Sequence, residues 1–179
     1  DSVGLSIFDS EVRAYLPPRS SMGIIMEIDR LLRDVKPTPR TSIARQLHDI
    51  ALMIKRRSLV VLVSDLFSDV DDILAGLDHL RFNGHDVVVL HTLDAHELEF
   101  PFKGAWCFEG LEEEEPLTTQ AERIREEYLT NFNEYMEALR DGCVSSQIDY
   151  NTVNTALPLD DVLSEFVVKR QAMLNGGRG

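Results

Sequence analysis

The run Ser58-Leu59-Val60-Val61-Leu62-Val63-Ser64, followed later by Asp86-Val87-Val88-Val89-Leu90-His91-Thr92, decides the fold class. Each is a short, unbroken apolar run rich in β-branched residues, the composition of a strand buried on both faces in a helix-covered parallel sheet. Between them Val70, Ile73, Leu74, Leu77 and Leu80 recur at helical spacing, and Asn83-Gly84 supplies a stop. Ser68 with Asp71 three places on predicts a capping box, and Asp69, Asp71 and Asp72 suit the positive end of that helix. Strand, helix and strand together make a right-handed βαβ unit, the core of an α/β, doubly wound, mostly parallel sheet.

Upstream, Val3, Leu5 and Ile7 alternate with small or polar neighbours. Val12, Ala14 and Leu16 do the same after the Asp9-Ser10 corner, which predicts a hairpin closed by Pro17-Pro18. Ser20 or Ser21 then caps a helix with Ile24, Ile25, Ile28, Leu31, Leu32 and Val35 on its apolar face. A second helix starts at Thr41, with Ile43, Leu47, Ile50, Ala51 and Ile54 inward. Downstream, Ala105 to Leu111 reads as a short strand and the Glu112 to Glu115 run as a solvated loop. A long helix follows through Ala121, Ile124, Tyr128, Phe132, Tyr135 and Leu139. Gln147 to Asn154 makes an edge strand, and a last helix carries Leu159, Val162, Leu163, Phe166 and Val167. The expected organisation is one domain over residues 1–171 and a flexible tail at 172–179.

Composition narrows the function classes. A chain of 179 residues with 44% hydrophobic and 27% charged residues is an ordinary globular sequence. Its formal charge of -13 opposes holding nucleic acid or an anionic membrane through the overall field, and suits basic partner patches or cations. There is no apolar run long enough to cross a bilayer and no signal segment at the start, so membrane insertion by this chain is not expected. Cys107 and Cys143 have no CxxC spacing and read as reduced, buried thiols of a cytoplasmic protein. Asp1 rather than Met opens the chain, which reads as a piece of a longer polypeptide.

In an open parallel sheet, ligands sit beyond the carboxyl ends of the strands. Asp65 follows the first buried strand, and His91, Asp94, His96 and Glu97 lie at or after the end of the second. Thr41 opens a helix ahead of the first, so its hydroxyl is expected at the same rim. A hydroxyl and a carboxylate converging there suit a hard divalent cation. The plainer reading makes Thr41 an N-cap, Asp65 a turn residue, and Asp94 and Glu97 acceptors for loop N–H groups. A rival reading takes Asp65, Asp94 and His96 as the rim of a metal-dependent hydrolase. GxSxG, GxxxxGK[ST] and GxGxxG are all missing from the sequence.

Asp1-Ser2-Val3-Gly4-Leu5-Ser6-Ile7-Phe8 resembles the D-x-V-G-L-x-x-F strand of von Willebrand factor A-like domains. Pro37 to Ile43 is similar to their threonine loop, and Val60 to Leu66 to the strand ending in S-D-L. Lys55 to Val60, His85 to His91, and above all Leu93-Asp94-Ala95-His96-Glu97-Leu98-Glu99-Phe100-Pro101-Phe102 resemble the bacterial family called domain of unknown function 58. The resemblance implies a three-layer sheet lacking its first, central strand. That strand would carry the D-x-S-x-S loop and lie between Val3–Phe8 and Leu59–Ser64. It also implies a metal-ion-dependent adhesion site reduced to Thr41 and Asp65, with Mg²⁺ weak or absent in this chain. Two open strand edges would then self-associate or close on each other. The implied function is a non-enzymatic protein-binding or adaptor domain, with a MoxR-type AAA+ ATPase as partner in assembly or maturation.

Overall fold

A computed structural model of the chain describes residues 1–36, 43–110 and 115–176. The chain is a mixed α/β protein that divides into two compact units. One comprises Asp1–Ser58, Ser68–Asp86 and Cys107–Leu117, the other Leu59–Phe67, Val87–Trp106 and Thr118–Gly179.

The first unit opens with the expected hairpin, β1 (Val3–Phe8) antiparallel to β2 (Val12–Arg19). Asp9 makes its corner, with its carboxylate accepting from Glu11 N at 3.1 Å and from Arg13 Nε at 2.7 Å. Helix α1 (Ile24–Asp34) buries only Ile24; Ile25 and Leu32, expected inward, are exposed. Neither Ser20 nor Ser21 caps it, since Gly23 is the N-cap and no side chain closes the helix end. Helix α2 (Ile43–Met53) buries Ile43, Leu47, Ile50 and Ala51 as its periodicity predicts, and packs on α3 (Val70–Phe82), which contributes Ile73, Leu77 and Leu80. The α3 cap sits one residue later than expected. Asp69, not Ser68, takes extended backbone, and its carboxylate accepts from Asp71 N and Asp72 N.

The second unit is built on a parallel three-stranded sheet in the order β3-β4-β7, from Leu59–Ser64, Asp86–Leu93 and Asp149–Asn154. β7 runs parallel to β4 in the register His91↔Thr152, as an edge strand. The central strand β4 buries Val87, Val88 and Val89 completely. β3 does not match the expectation of burial on both faces. It ends the sheet, and Leu59, Val61 and Val63 are 53%, 46% and 61% exposed while Leu62 is buried. Apolar composition alone does not tell a strand covered on both faces from an end strand that keeps only one under cover, as here.

A five-residue helix α4 (Ala95–Glu99) follows β4, and the ribbon of β5 (Ala105–Phe108) with β6 (Leu117–Gln120) comes next. Helix α5 (Ala121–Ser145) packs on β7 and buries Met136, Leu139 and Cys143 at helical spacing. Cys107 on β5 is exposed, not buried: a two-stranded ribbon leaves one side open, and burial cannot be inferred from residue type there. Helix α6 (Leu159–Gly176) continues five residues into the stretch read as a tail. No described helix is long and apolar enough to cross a membrane.

Candidate functional site

The carboxyl end of β3 is organised by the buried histidine of β4. His91 is 1% exposed, with Nε2 2.7 Å from the Asp65 carbonyl oxygen and Nδ1 2.6 Å from the Tyr150 hydroxyl. A carbonyl oxygen only accepts, so Nε2 carries the proton. Burial disfavours a second proton on the ring, so Nδ1 is left to accept from the Tyr150 O–H. Burial lowers the His91 pKa, opposed by its bond to the Asp65 carbonyl and by the Asp65 and Glu97 charges. Burial likewise holds the Tyr150 phenol well above its ordinary range, so it stays a donor. Met136 Sδ lies 3.6 Å from the Tyr150 oxygen and fills the space beside it.

One residue on, Tyr135 of α5 donates its hydroxyl to the Leu66 carbonyl. Leu66 is fully buried with φ 52°, a left-handed conformation that costs a non-glycine residue roughly 1–2 kcal/mol. The side-chain anchor and the two carbonyl bonds hold it there. The consequence is local: consecutive carbonyls of Asp65 and Leu66 are tied down, and the flanking side chains turn outward. Asp65 is exposed, its Oδ1 3.4 Å from Phe67 N, and Ser64 Oγ accepts from Leu66 N at 3.0 Å. Phe67 is 69% exposed. An acid and a phenyl ring thus stand in solvent on a fixed turn.

The end of β4 is spent differently. Asp94 is the N-cap of α4, accepting from His96 N at 2.8 Å, and Glu97 Oε2 accepts from Asp94 N at 2.7 Å, a complete capping box. His96 Nδ1 lies 2.7 Å from the same Asp94 oxygen. The bond from His96 N, then that from its ring, lowers the Asp94 pKa. The loop-holding role for Asp94 and Glu97 is therefore what the structure shows. Phe100, in a left-handed conformation at φ 44°, ends α4, and Arg125 of α5 donates to its carbonyl at 3.1 Å and to that of Glu99 at 2.9 Å. Phe100 packs against Tyr128 and Phe102, with ring centres 4.7 and 5.1 Å apart, and Phe102 lies 4.9 Å from Trp106. The residues of Leu93–Phe102 thus form one capped turn closed by an aromatic cluster.

A scan against family models matches residues 1–138 to the family described as "Protein of unknown function DUF58". The chain belongs to the DUF58 family. No curated protein and no solved structure matches it.

For this DUF58 chain the two residues expected at a metal site stand unequally. Asp65 is at the rim as expected, whereas Thr41 lies outside the described residues. Among the described residues there is no group of three or more His, Cys, Asp or Glu placed to hold a metal ion. Asp65 alone is one exposed carboxylate, and Mg²⁺ asks for near-octahedral oxygen ligation, usually with more than one anionic donor. The described donors therefore do not fit a metal centre by themselves. Tyr135, Tyr150 and Phe67 were missed by sequence reasoning. Phe67 had a usable signal, an aromatic residue directly after S-D-L in a turn where aromatic residues are otherwise costly to expose. The tyrosines had none, being 69 and 59 residues away in sequence from the groups they bind.

Proposed function

We propose that this chain is a non-enzymatic, von Willebrand factor A-like protein-binding domain whose docking point is the Asp65–Phe67 turn. The observation that carries the reading is the pairing of an exposed carboxylate and an exposed phenyl ring on backbone clamped by His91 and Tyr135. Binding surfaces gain from such preorganisation, because little conformational freedom is lost on docking. An aromatic anchor beside an acid suits a partner that offers an apolar notch rimmed by Lys or Arg, and the net charge of -13 speeds that encounter. By family analogy the partner is a MoxR-type AAA+ ATPase, and the domain acts as an adaptor in assembly or maturation. Mg²⁺ belongs to this reading only as a ligand shared by Asp65, Thr41 and groups outside this chain. A cytoplasmic location goes with it.

The hydrolase alternative on Asp65, Asp94 and His96 has less support, since Asp94 and His96 are committed to the α4 cap. The test is capture of a purified MoxR-type ATPase from the same source by the immobilised chain. Phe67→Ala and Asp65→Ala are each expected to weaken capture at least tenfold with unchanged circular dichroism. Capture that ignores both substitutions overturns the docking point, and metal-dependent phosphatase or esterase turnover by the chain overturns the non-enzymatic reading.

A further inference from the structure

The C-terminal ends of α2 and α3 form one exposed tip of the first unit. The two helices run side by side in the same direction. A Cβ on Gly76 would lie 3.0 Å from Leu47, and His48 and His79 stack with ring centres 4.3 Å apart. Asn83 Nδ2 donates to the Ala51 carbonyl at 3.2 Å, so residue number rises along both helices together. The Tyr15 hydroxyl, donating to the Met53 carbonyl at 3.3 Å, holds the end of α2. Ser58 N donates to His85 Nδ1 at 3.3 Å and Asp86 N to the Ser58 carbonyl at 2.9 Å. These bonds bring the segment before β3 beside the turn after α3.

Two kinds of side chain meet at this tip. Phe82, the last residue of α3, is 89% exposed, and Leu52 of α2 is 64% exposed. Leu52 follows His48 by four residues and Phe82 follows His79 by three. Both therefore continue the line of the stacked histidines one turn nearer the helix ends. Lys55, Arg56 and Arg57 come directly after α2, are all exposed, and form no ion pair among the described residues. The acids lie farther off: Asp49 and Asp78 stand one turn back, about 5 Å along the helix axes, and Asp86 is half-buried at the start of β4. Bases at helix C-termini offset the helix dipoles, and that alone would account for the three cations. It does not account for a phenyl ring and a leucine left in water among them.

We propose that this tip rests on an anionic lipid surface, with Phe82 and Leu52 in the headgroup boundary and Lys55, Arg56 and Arg57 facing lipid phosphates. Apolar side chains combined with Lys and Arg suit that interface, where one set is buried and the other meets negative charge. A bilayer is favoured over a protein because Phe82 projects almost free of its own chain, and a deformable surface needs no matching notch. The net charge of -13 does not forbid the contact. Charges beyond about 8 Å are screened at physiological ionic strength, whereas the three bases lie at the surface itself. The association is weak and reversible, and the chain touches the bilayer without crossing it. No residue of the Asp65–Phe67 turn takes part, so this contact stands apart from the docking reading above.

Sedimentation of the chain with vesicles of phosphatidylcholine, alone or mixed with phosphatidylserine, tests it at millimolar lipid. Binding to the mixed vesicles only is expected, with release by added salt. Lys55→Gln, Arg56→Gln and Arg57→Gln are each expected to weaken it about fivefold, and Phe82→Ala about tenfold. All four positions are exposed, so circular dichroism is expected to stay unchanged. In a Trp106→Phe background, Phe82→Trp is expected to shift its indole emission to shorter wavelength when mixed vesicles are added. Failure to sediment with either vesicle overturns the proposal, and so does equal binding to both. Binding that ignores Phe82→Ala and is competed by soluble polyglutamate marks a general polyanion site and also overturns it. Loss of vesicle binding in Phe82→Ala with ATPase capture intact separates the tip from the docking turn.

Discussion

Tyr150 donates its hydroxyl proton to His91 Nδ1 across 2.6 Å, a direction that follows from burial, which keeps the ring neutral with its one proton on Nε2 and given to the Asp65 carbonyl. A residue on β7 is thereby tied to a residue on β4, which in turn holds the backbone at the end of β3. The exposed Asp65–Phe67 turn depends on three strands and one helix of the second unit.

Tyr150→Phe is the cleanest break in that chain, since it removes one donor and leaves the ring volume. His91 Nδ1 is then a buried acceptor without its partner, at a cost of about 1–3 kcal/mol. Urea denaturation followed by circular dichroism should show that loss. A midpoint unchanged from the parent would mean that the hydroxyl is not the donor.

His91 also makes stability depend on pH. Its folded pKa lies below its unfolded value because burial disfavours the imidazolium. Below about 6.5 the unfolded chain binds a proton that the folded chain refuses, so stability rises with pH there. The His91 contribution is complete above the unfolded pKa and is lost as pH falls from it toward the lowered folded value. Buried His85, whose pKa is lowered by the same cause, adds in the same direction. Unfolding free energies between pH 5 and 7.5 should climb with pH, with a shallower slope in His91→Gln. An equal slope in that variant would show that the ring is protonated in the folded chain.

Gly4 in the first unit is fixed by contact and not by a turn. A Cβ there would stand 2.7 Å from the Leu16 carbonyl oxygen and 2.9 Å from Pro18 N, both backbone atoms of the facing strand. Gly4→Ala must therefore push β1 off β2, at about 1–3 kcal/mol, read as a lowered denaturant midpoint. A neutral result would mean that the hairpin slides without cost.

The two thiols should separate by reactivity. Cys107 is exposed and Cys143 is fully buried. Ellman's reagent is expected to titrate one thiol in the native chain and two in denaturant, with Cys107→Ser abolishing the native signal. Two fast thiols would mean that α5 opens readily at Cys143.

What could be read from the chain in advance follows from where the information lies. Val87 to Val89 announce a buried strand because β-branched runs have few other homes, and Leu47, Ile50, Leu77 and Leu80 announce helix faces by their spacing. Asp94 and Glu97 carry a local signal too, since a capping box closes within four residues. The errors came where neighbours in space decide. Ser68 and Asp69 are both good caps, and only the path of the chain into α3 selects Asp69. Leu59, Val61 and Val63 have the composition of a strand covered on both faces, yet their strand ends the sheet. β6 was not expected at all, because Leu117–Gln120 is too short for a periodicity to show.

By itself, then, the sequence determined the α/β class, the order of the longer helices and strands, and the position of Asp65 at a strand end, because each depends on residues within about one turn of helix or one length of strand. Only the tertiary structure decided that His91 and Tyr135 grip the backbone around Asp65, that Phe67 faces solvent beside it, and that one side of β3 lies bare. Those outcomes rest on groups dozens of residues apart meeting at hydrogen-bond distance, and nothing in a linear pattern encodes which distant donor arrives at which carbonyl.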